Sequence, residues 1–182
     1  MPSPSFFYTY FLLFSRIITS GDIMKIDKSK IKTYAVSILI AEAVGAVSAL
    51  LTNMAMDRYA LAEKPALTPP DIVFPIVWSI LFALMGISAA RIWLSPPTRA
   101  KTHGLIIYAI QLFFNFLWSI LFFNFQAYGL AFVWIVALWA LILLTIVKFN
   151  ETDRIAALLQ IPYLLWVTFA AYLNYMVWQL NK

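Results

Sequence analysis

The sequence predicts an all-α membrane protein built as a bundle of five transmembrane helices. Of its 182 residues, 63% are hydrophobic and only 12% are charged, whereas soluble domains are about half apolar and about a quarter charged. The chain also contains five apolar runs separated by connectors that carry proline or charge. A run of about twenty apolar residues is long enough to cross a bilayer as a helix.

The five predicted spans cover residues 33–56, 72–94, 104–124, 129–149 and 155–179. We expect residues 1–32 to form a tail outside the bundle, disordered or not native, with Met24 as an alternative start. The apolar stretch within this tail, residues 6–14, is too short to span a membrane. No basic residue precedes that stretch, although a signal peptide requires one.

The first span carries a stripe of small residues at helical spacing: Ala41, Gly45, Ser48 and Thr52. Such a stripe favours close helix packing, either within the bundle or between two protomers. Glu42 is the only carboxylate well inside a span. It is either a proton or ligand partner or a protonated or snorkelling side chain.

The second span begins within the proline-rich stretch PALTPPDIVFPIVW, residues 65–78. Pro69 and Pro70 stiffen the loop, and Asp71 is predicted either to cap the helix that follows or to favour its positive N-terminal end. Pro75 falls in the first helical turn, where its missing N–H removes no intrahelical hydrogen bond.

Two later spans each carry a face of polar and aromatic side chains. The periodicity places four residues of the third span on one side: Gln111, Asn115, Trp118 and Phe122. The fifth span has a comparable stripe: Tyr163, Trp166, Ala170, Leu173 and Val177. The side-chain amides of Gln111 and Asn115 either join helices through hydrogen bonds or contact a ligand. Trp93 and Trp178 are placed as interfacial belt residues.

The charges predict an orientation. With five spans, ten of the 13 Lys and Arg residues share one side, and the other three, Arg58, Lys64 and Lys182, lie opposite. The positive-inside rule then places the N-terminus in the cytoplasm and the C-terminus outside, assuming a bacterial plasma membrane. The net charge of +5 is therefore assigned to topology, and no nucleic-acid partner is predicted.

Several kinds of chemistry lack the residues they require. The chain has no cysteine, and His103 is its only histidine, in a polar connector. No metal site is predicted, because a metal needs several converging ligands. No nucleophile–base–orienter set is present either, so no hydrolytic or metal-dependent catalytic motif is predicted.

Three segments make the chain recognisable: KPALTPPDIVFPIVWSILFALMG (residues 64–86), QLFFNFLWSILFF (111–123) and PYLLWVTFAAYLNYMVWQLN (162–181). Together they resemble the TspO/MBR family, the tryptophan-rich sensory proteins that include the mitochondrial translocator protein, or peripheral benzodiazepine receptor. The resemblance covers residues 33–181. It implies a five-helix bundle, commonly a homodimer, with a pocket that opens toward the first loop and binds porphyrins, sterols and benzodiazepine-site ligands.

Taken with the third-span stripe, the resemblance gives ten candidate ligand-binding residues: Ala66, Leu67, Trp78, Phe82, Gln111, Asn115, Trp118, Trp166, Ala170 and Leu173. The chain departs from the family pattern at three places. Leu67 stands where the family often has tryptophan, and Phe82 where it often has tyrosine. The basic residue of the family's sterol motif is absent after Tyr175, which lowers the expectation of a sterol ligand.

The expected function is that of a membrane protein that senses or transports a tetrapyrrole, with protoporphyrin IX or haem as ligand and no required cofactor. The expected partners are the lipid bilayer, the tetrapyrrole and a second copy of the chain. One alternative is a light- and oxygen-dependent porphyrin-degrading enzyme in which Trp78 and Trp166 are the catalytic residues. Another alternative is sterol or lipid binding or transport.

Overall fold

The computed structural model describes residues 28–55 and 59–182. Most of the predicted tail (residues 1–27) and a short part of the first loop (56–58) lie outside the described residues. The described elements are all helical: α1 (Lys28–Thr52) with a 3-10 turn (Asn53–Ala55), α2 (Val73–Leu94), α3 (Arg99–Ser119) with a π-helical turn (Ile120–Asn124), α4 (Tyr128–Asn150), α5 (Arg154–Leu159) and α6 (Ile161–Leu180).

Five stretches of the described chain are long and apolar enough to cross a membrane: Lys30–Ala55, Val73–Leu94, Arg99–Asn124, Tyr128–Asn150 and Arg154–Leu180. The prediction of a five-helix membrane bundle is confirmed. The third span begins at Arg99, earlier than predicted, because the Thr98 hydroxyl accepts a hydrogen bond from the Lys101 N–H at 3.1 Å and caps α3. His103 therefore lies in the first turns of a helix, where it is exposed.

The start of α2 corrects one prediction. Asp71 is exposed and does not cap the helix; Ile72 occupies the N-cap position without a side-chain hydrogen bond. A backbone turn takes its place, because the Val73 N–H donates to the Pro70 carbonyl at 2.9 Å. Pro75 is the third residue of α2, one of the positions whose N–H has no intrahelical partner.

The connectors gather at two ends of the bundle. At one end, which we call the connector end, Arg91 of α2 bonds Asp153, the N-cap residue of α5, with 2.9 Å between Nη2 and Oδ2. At the other, the loop end, Asn181 bonds Glu63 of the first loop. The Asn124 side chain also donates to the Leu51 carbonyl there, at 3.0 Å. Successive spans therefore run in alternate directions.

Helix α4 is central, since it packs extensively against both α3 and α6. Phe114 and Trp134 stack with ring centroids 4.2 Å apart, and the Trp134 Nε1–H donates to the Phe114 carbonyl at 2.9 Å. Helix α5 packs beside α2, where the Ser88 hydroxyl donates to the Ala156 carbonyl at 2.7 Å.

The small-residue stripe of α1 faces the bundle. Ala41, Ser48 and Thr52 are buried, and a Cβ on Gly45 would lie 2.3 Å from the Phe82 ring. The backbones of α1 and α2 also meet closely, since a Cβ on Gly86 would lie 2.5 Å from the Ile38 Cα. The stripe is therefore used for packing inside the bundle.

Candidate functional site

The centre of the candidate site is a contact between α3 and α6. Asn115 Nδ2 donates to the Tyr163 hydroxyl at 2.8 Å, and both side chains are buried. The Tyr163 ring meets Trp78 of α2 edge to face, with centroids 6.0 Å apart. Three helices thus converge on one amide, one phenol and one indole.

The α2 side of the site consists of two aromatic rings in contact. Trp78 and Phe82 lie one helical turn apart, with ring centroids separated by 5.5 Å. Phe82 is buried, and Gly45 of α1 leaves room for its ring. A tyrosine at this position would put its hydroxyl into an apolar contact between two helices, which is consistent with phenylalanine here.

A second polar contact lies nearer the loop end. The Trp118 Nε1–H donates to Asn174 Oδ1 at 3.0 Å, and Asn174 Nδ2 donates to the Tyr128 carbonyl at 2.9 Å. Trp118 and Asn174 are buried. One amide therefore joins α3, α4 and α6, and the Trp118 indole is held in a fixed orientation.

The loop end of the site is closed by an aromatic cluster, which we call the aromatic cap: Tyr59, Trp118, Phe122, Phe123 and Tyr128. Phe122 is its centre, with ring centroids 5.3 Å from Trp118, 5.3 Å from Tyr59 and 5.1 Å from Tyr128. Burial, followed by the neighbouring Tyr128 and Asp71, raises the pKa of Tyr59 to about 12. Tyr59 is therefore neutral at physiological pH, as an aromatic packing residue should be.

The π-helical turn places two rings of this cap. The Phe125 N–H donates to the Ile120 carbonyl, which is the i to i+5 spacing of a π-helix. Phe122 and Phe123 are adjacent in sequence, yet both contact Tyr59, at 5.3 and 5.2 Å. Such turns are found often at functional sites.

Trp166 occupies a separate part of the α2–α6 interface. Its ring contacts Phe74 at 6.0 Å and Phe169 at 5.7 Å, and no aromatic contact joins it to Trp78. Its Nε1 is buried and has no hydrogen-bond partner among the described residues. A buried indole N–H normally has a partner, so this donor is available to a ligand.

Two glutamines contribute further unpaired polar atoms. Gln111 and Gln160 are both fully buried, and neither amide has a partner for its side-chain nitrogen or oxygen within the described residues. Each lies about one turn before a member of the Asn115–Tyr163 pair. Buried polar atoms of this kind need an explanation, and a polar ligand group is one.

The remaining candidates divide between the core and the loop. Ala170 and Leu173 of α6 are buried, each with 7% of its surface exposed. Ala66 and Leu67 are exposed, Leu67 at 63%, while the neighbouring Pro65 is buried. The structure thus gathers the helix residues in the bundle and places the two loop residues at its surface.

Sequence reasoning missed three residues that the structure brings to the site. Tyr163 and Asn174 are the direct partners of Asn115 and Trp118, and Gln160 supplies a buried amide. Tyr163 could have been found, since it lies on the fifth-span stripe. Nothing in the spacing distinguishes Gln160, which precedes Pro162 at the break between α5 and α6.

The surface clefts of the described chain include one beside the first loop and one between α4 and α6. The first, which we call the loop cleft, has a volume of about 450 Å³ and is lined by Leu61, Ala62, Gln126, Tyr128 and Asn181. The second has a volume of about 360 Å³ and is lined by side chains of α4 and α6, including Phe132, Trp139 and Tyr175. The loop cleft adjoins the candidate site, because Tyr128 also belongs to the aromatic cap.

Comparison with known proteins gives consistent matches. The sequence model of the TspO/MBR family matches residues 37–179. A tryptophan-rich protein TspO from Chlorobaculum tepidum is 40% identical over 154 residues, covering 84% of this chain and 98% of that protein. Protein CrtK from Rhodobacter capsulatus is 36% identical, covering 81% and 92%. The human translocator protein is 34% identical, covering 68% and 74%.

Proposed function

The chain is an integral membrane protein of the TspO/MBR family, and on that premise we propose that it binds a tetrapyrrole, protoporphyrin IX or haem, within its bundle as a sensory or transport protein. The observation that carries the proposal is the convergence of Trp78, Tyr163 and Asn115 from three helices. Indole faces suit a flat aromatic ligand. Apolar walls with a few polar groups are the usual design of such sites.

The unpaired polar atoms support the same ligand class. A porphyrin carries carboxylates at one edge of an apolar ring system, and these need hydrogen-bond donors. The Trp166 Nε1–H and the Gln111 amide are buried donors without partners in the described chain. A ligand that forms a hydrogen bond with each of these groups would remove the free-energy cost of leaving the group unsatisfied, about 1–3 kcal/mol for each.

Ligand uptake requires rings to separate, because Trp78, Phe82 and the aromatic cap are packed against one another. Tyr59, the member of the aromatic cap that comes from the described part of the first loop, packs on Phe122 and Phe123. Movement of this part of the loop would therefore uncover the two rings while the contacts between helices remain.

We further propose that the protein lies in a bacterial plasma membrane with its N-terminus in the cytoplasm. Lys64 and Lys182 lie at the loop end, whereas the connector end carries five cations: Arg91, Arg99, Lys101, Lys148 and Arg154. The excess of cations at the connector end supports this orientation.

Binding is tested by quenching of tryptophan fluorescence with protoporphyrin IX in the purified protein. Asn115→Ala removes a buried amide and leaves the Tyr163 hydroxyl unpaired, and Trp166→Ala removes an indole. We expect each to weaken binding about ten-fold, equivalent to about 1.4 kcal/mol. Asn150→Ala at the exposed end of α4 and Trp93→Phe at an exposed helix end serve as matched controls.

Parent affinity in both Asn115→Ala and Trp166→Ala would show that the ligand site is assigned wrongly. The same titration under illumination separates binding from porphyrin degradation. Loss of porphyrin absorbance faster than without protein, abolished in Trp78→Phe and Trp166→Phe, would support the enzymatic alternative.

A further inference from the structure

We propose that Asn181 is a latch that holds the described part of the first loop, from residue 59 onward, over the bundle and thereby sets the rate at which ligand enters and leaves. Asn181 is a positioning residue in this proposal, because it acts through the loop. The proposal rests on the proposed tetrapyrrole binding for its kinetic part. Its structural part, the latch itself, concerns the ligand-free protein.

The latch consists of hydrogen bonds to the backbone of one loop residue. The Glu63 N–H donates to Asn181 Oδ1 at 3.0 Å, and Asn181 Nδ2 donates to the Glu63 carbonyl at 2.9 Å. The same Nδ2 donates to the Val177 carbonyl of α6 at 2.8 Å. The amide therefore fastens the loop to the last turn of the fifth span, across 118 residues of sequence.

This arrangement requires a carboxamide. A single side chain must accept a hydrogen bond from an N–H and donate to a carbonyl of the same residue, and only Asn and Gln carry an acceptor and a two-hydrogen donor together. An aspartate of the same shape would keep the acceptor. It would also place a negative oxygen against the Glu63 and Val177 carbonyls.

The loop has a second, apolar attachment on the other side of the latch. Tyr59 packs edge to face on Phe122 and Phe123 of the aromatic cap, and Lys64 Nζ lies 4.7 Å from the centre of the Tyr59 ring. Pro65 is buried. The loop is thus held by ring packing near its start and by the Asn181 amide a few residues later.

The loop cleft lies between these two attachments and the bundle. Leu61 and Ala62 of the loop form one wall, and Asn181 forms part of another. Tyr128 also lines the cleft, and its carbonyl accepts the hydrogen bond from Asn174 that orients Trp118. Release of Asn181 therefore widens a cleft that already reaches the aromatic cap.

The latch is suited to opening and closing. Glu63 is exposed and Asn181 is half-buried, so water can replace their hydrogen bonds when the loop moves. Such solvent-accessible hydrogen bonds break at low free energy and mark the least stable parts of a fold. The buried Asn115–Tyr163 and Trp118–Asn174 bonds have no such replacement.

The first measurement is amide hydrogen exchange in the ligand-free protein, with Asn181→Ala and the isosteric Asn181→Asp as variants. Gln179→Ala is the matched control, because Gln179 also lies near the C-terminus but, within the described chain, its side chain bonds Lys182 and not the first loop. We expect the Glu63 amide to exchange about ten-fold faster in both Asn181 variants and at the parent rate in the control. Unchanged Glu63 exchange in both variants would overturn the latch.

The second measurement is stopped-flow binding of protoporphyrin IX. Opening of a gate raises the association and dissociation rates by the same factor, so we expect both to rise about ten-fold while Kd changes less than two-fold. Damage to the pocket would change Kd mainly through dissociation. Parent rates in both variants, or a changed Kd with unchanged association, would overturn the gating role.

The two measurements separate the latch from the proposed function. If protoporphyrin IX fails to bind the parent protein, the tetrapyrrole proposal fails. Faster exchange at Glu63 in Asn181→Ala and Asn181→Asp would still support the latch. A retained thermal midpoint in both variants shows that the bundle is intact.

Discussion

Single amides connect the helices of this bundle. Asn174 accepts from the Trp118 indole and donates to the Tyr128 carbonyl, and Asn115 donates to the Tyr163 hydroxyl. Apolar side chains supply little preference for one helix rotation over another in lipid, because lipid tails are equally apolar. These polar contacts therefore favour one rotation of α3 relative to α6.

Replacement of Asn174 tests this view at one residue. Asn174→Ala leaves the buried Trp118 N–H without its acceptor, and we expect a loss of about 1–2 kcal/mol. Thermal unfolding in detergent should show a midpoint lower by a few degrees. Asn150→Ala, on an exposed residue, should leave the midpoint unchanged.

A double-mutant cycle with Trp118→Phe isolates the pair. Phenylalanine keeps an aromatic ring but removes the donor, so Asn174→Ala should cost less in that background than in the parent. Strictly additive losses would contradict a direct contribution of this hydrogen bond.

At the scale of the elements, the contact between α1 and α2 depends on Gly86. A Cβ there would lie 2.5 Å from the Ile38 Cα, 2.8 Å from the Ile38 nitrogen and 2.9 Å from the Ser37 oxygen. All three are backbone atoms, so no side-chain rotation can make room. The two helices would have to move apart.

Gly86→Ala should therefore destabilise the protein by about 1–3 kcal/mol, as overpacking does, although alanine is the better helix former. Ser79→Ala, at an exposed position of the same helix, is the control and should have little effect. The measurement is again the thermal midpoint. Equal or higher stability of Gly86→Ala would show that α1 is not held by this crossing.

The π-helical turn shows a limit of sequence patterns. The i, i+4, i+7, i+11 spacing placed four residues on one face, and all four are buried: Gln111, Asn115, Trp118 and Phe122. It also implied a regular helix through Phe122, whereas α-helical geometry ends at Ser119. A π-helical turn holds about one residue more than an α-helical turn. The residue types and the hydropathy of this segment do not differ from those of the residues around it, so the sequence pattern does not reveal the change.

At the scale of the whole molecule, the distribution of cations predicts a single orientation. A reporter that is active only outside the cytoplasm, fused after Lys182, should be active in bacterial cells, because the loop end carries few cations. The same reporter fused within the connector at Ser95 should be inactive. Activity of a cytoplasm-only reporter at Lys182 would reverse the orientation.

Run length predicted the five spans because bilayer thickness fixes how many apolar residues a helix needs. The contacts between spans could be predicted less well from the sequence. The pairing of Asn115 with Tyr163 depends on how two distant helices are rotated, and the start of α2 depends on a backbone turn at Pro70 instead of the Asp71 side chain. Periodicity identifies the buried face of a helix, but it does not identify the partner that face meets.

The bond between Asn181 and Glu63 has a consequence for how this protein can diversify. Among the described residues, the hydrogen bonds of Asn181 to the loop are to the backbone N–H and carbonyl of Glu63, and every residue type except proline offers the same two groups. Glu63 and the exposed Leu67 can therefore be substituted by other residues while the attachment to Asn181 is kept. The side chains that the loop presents at its surface and the strength of its attachment to Asn181 are therefore separate traits, and each can be altered by substitution without disturbing the other.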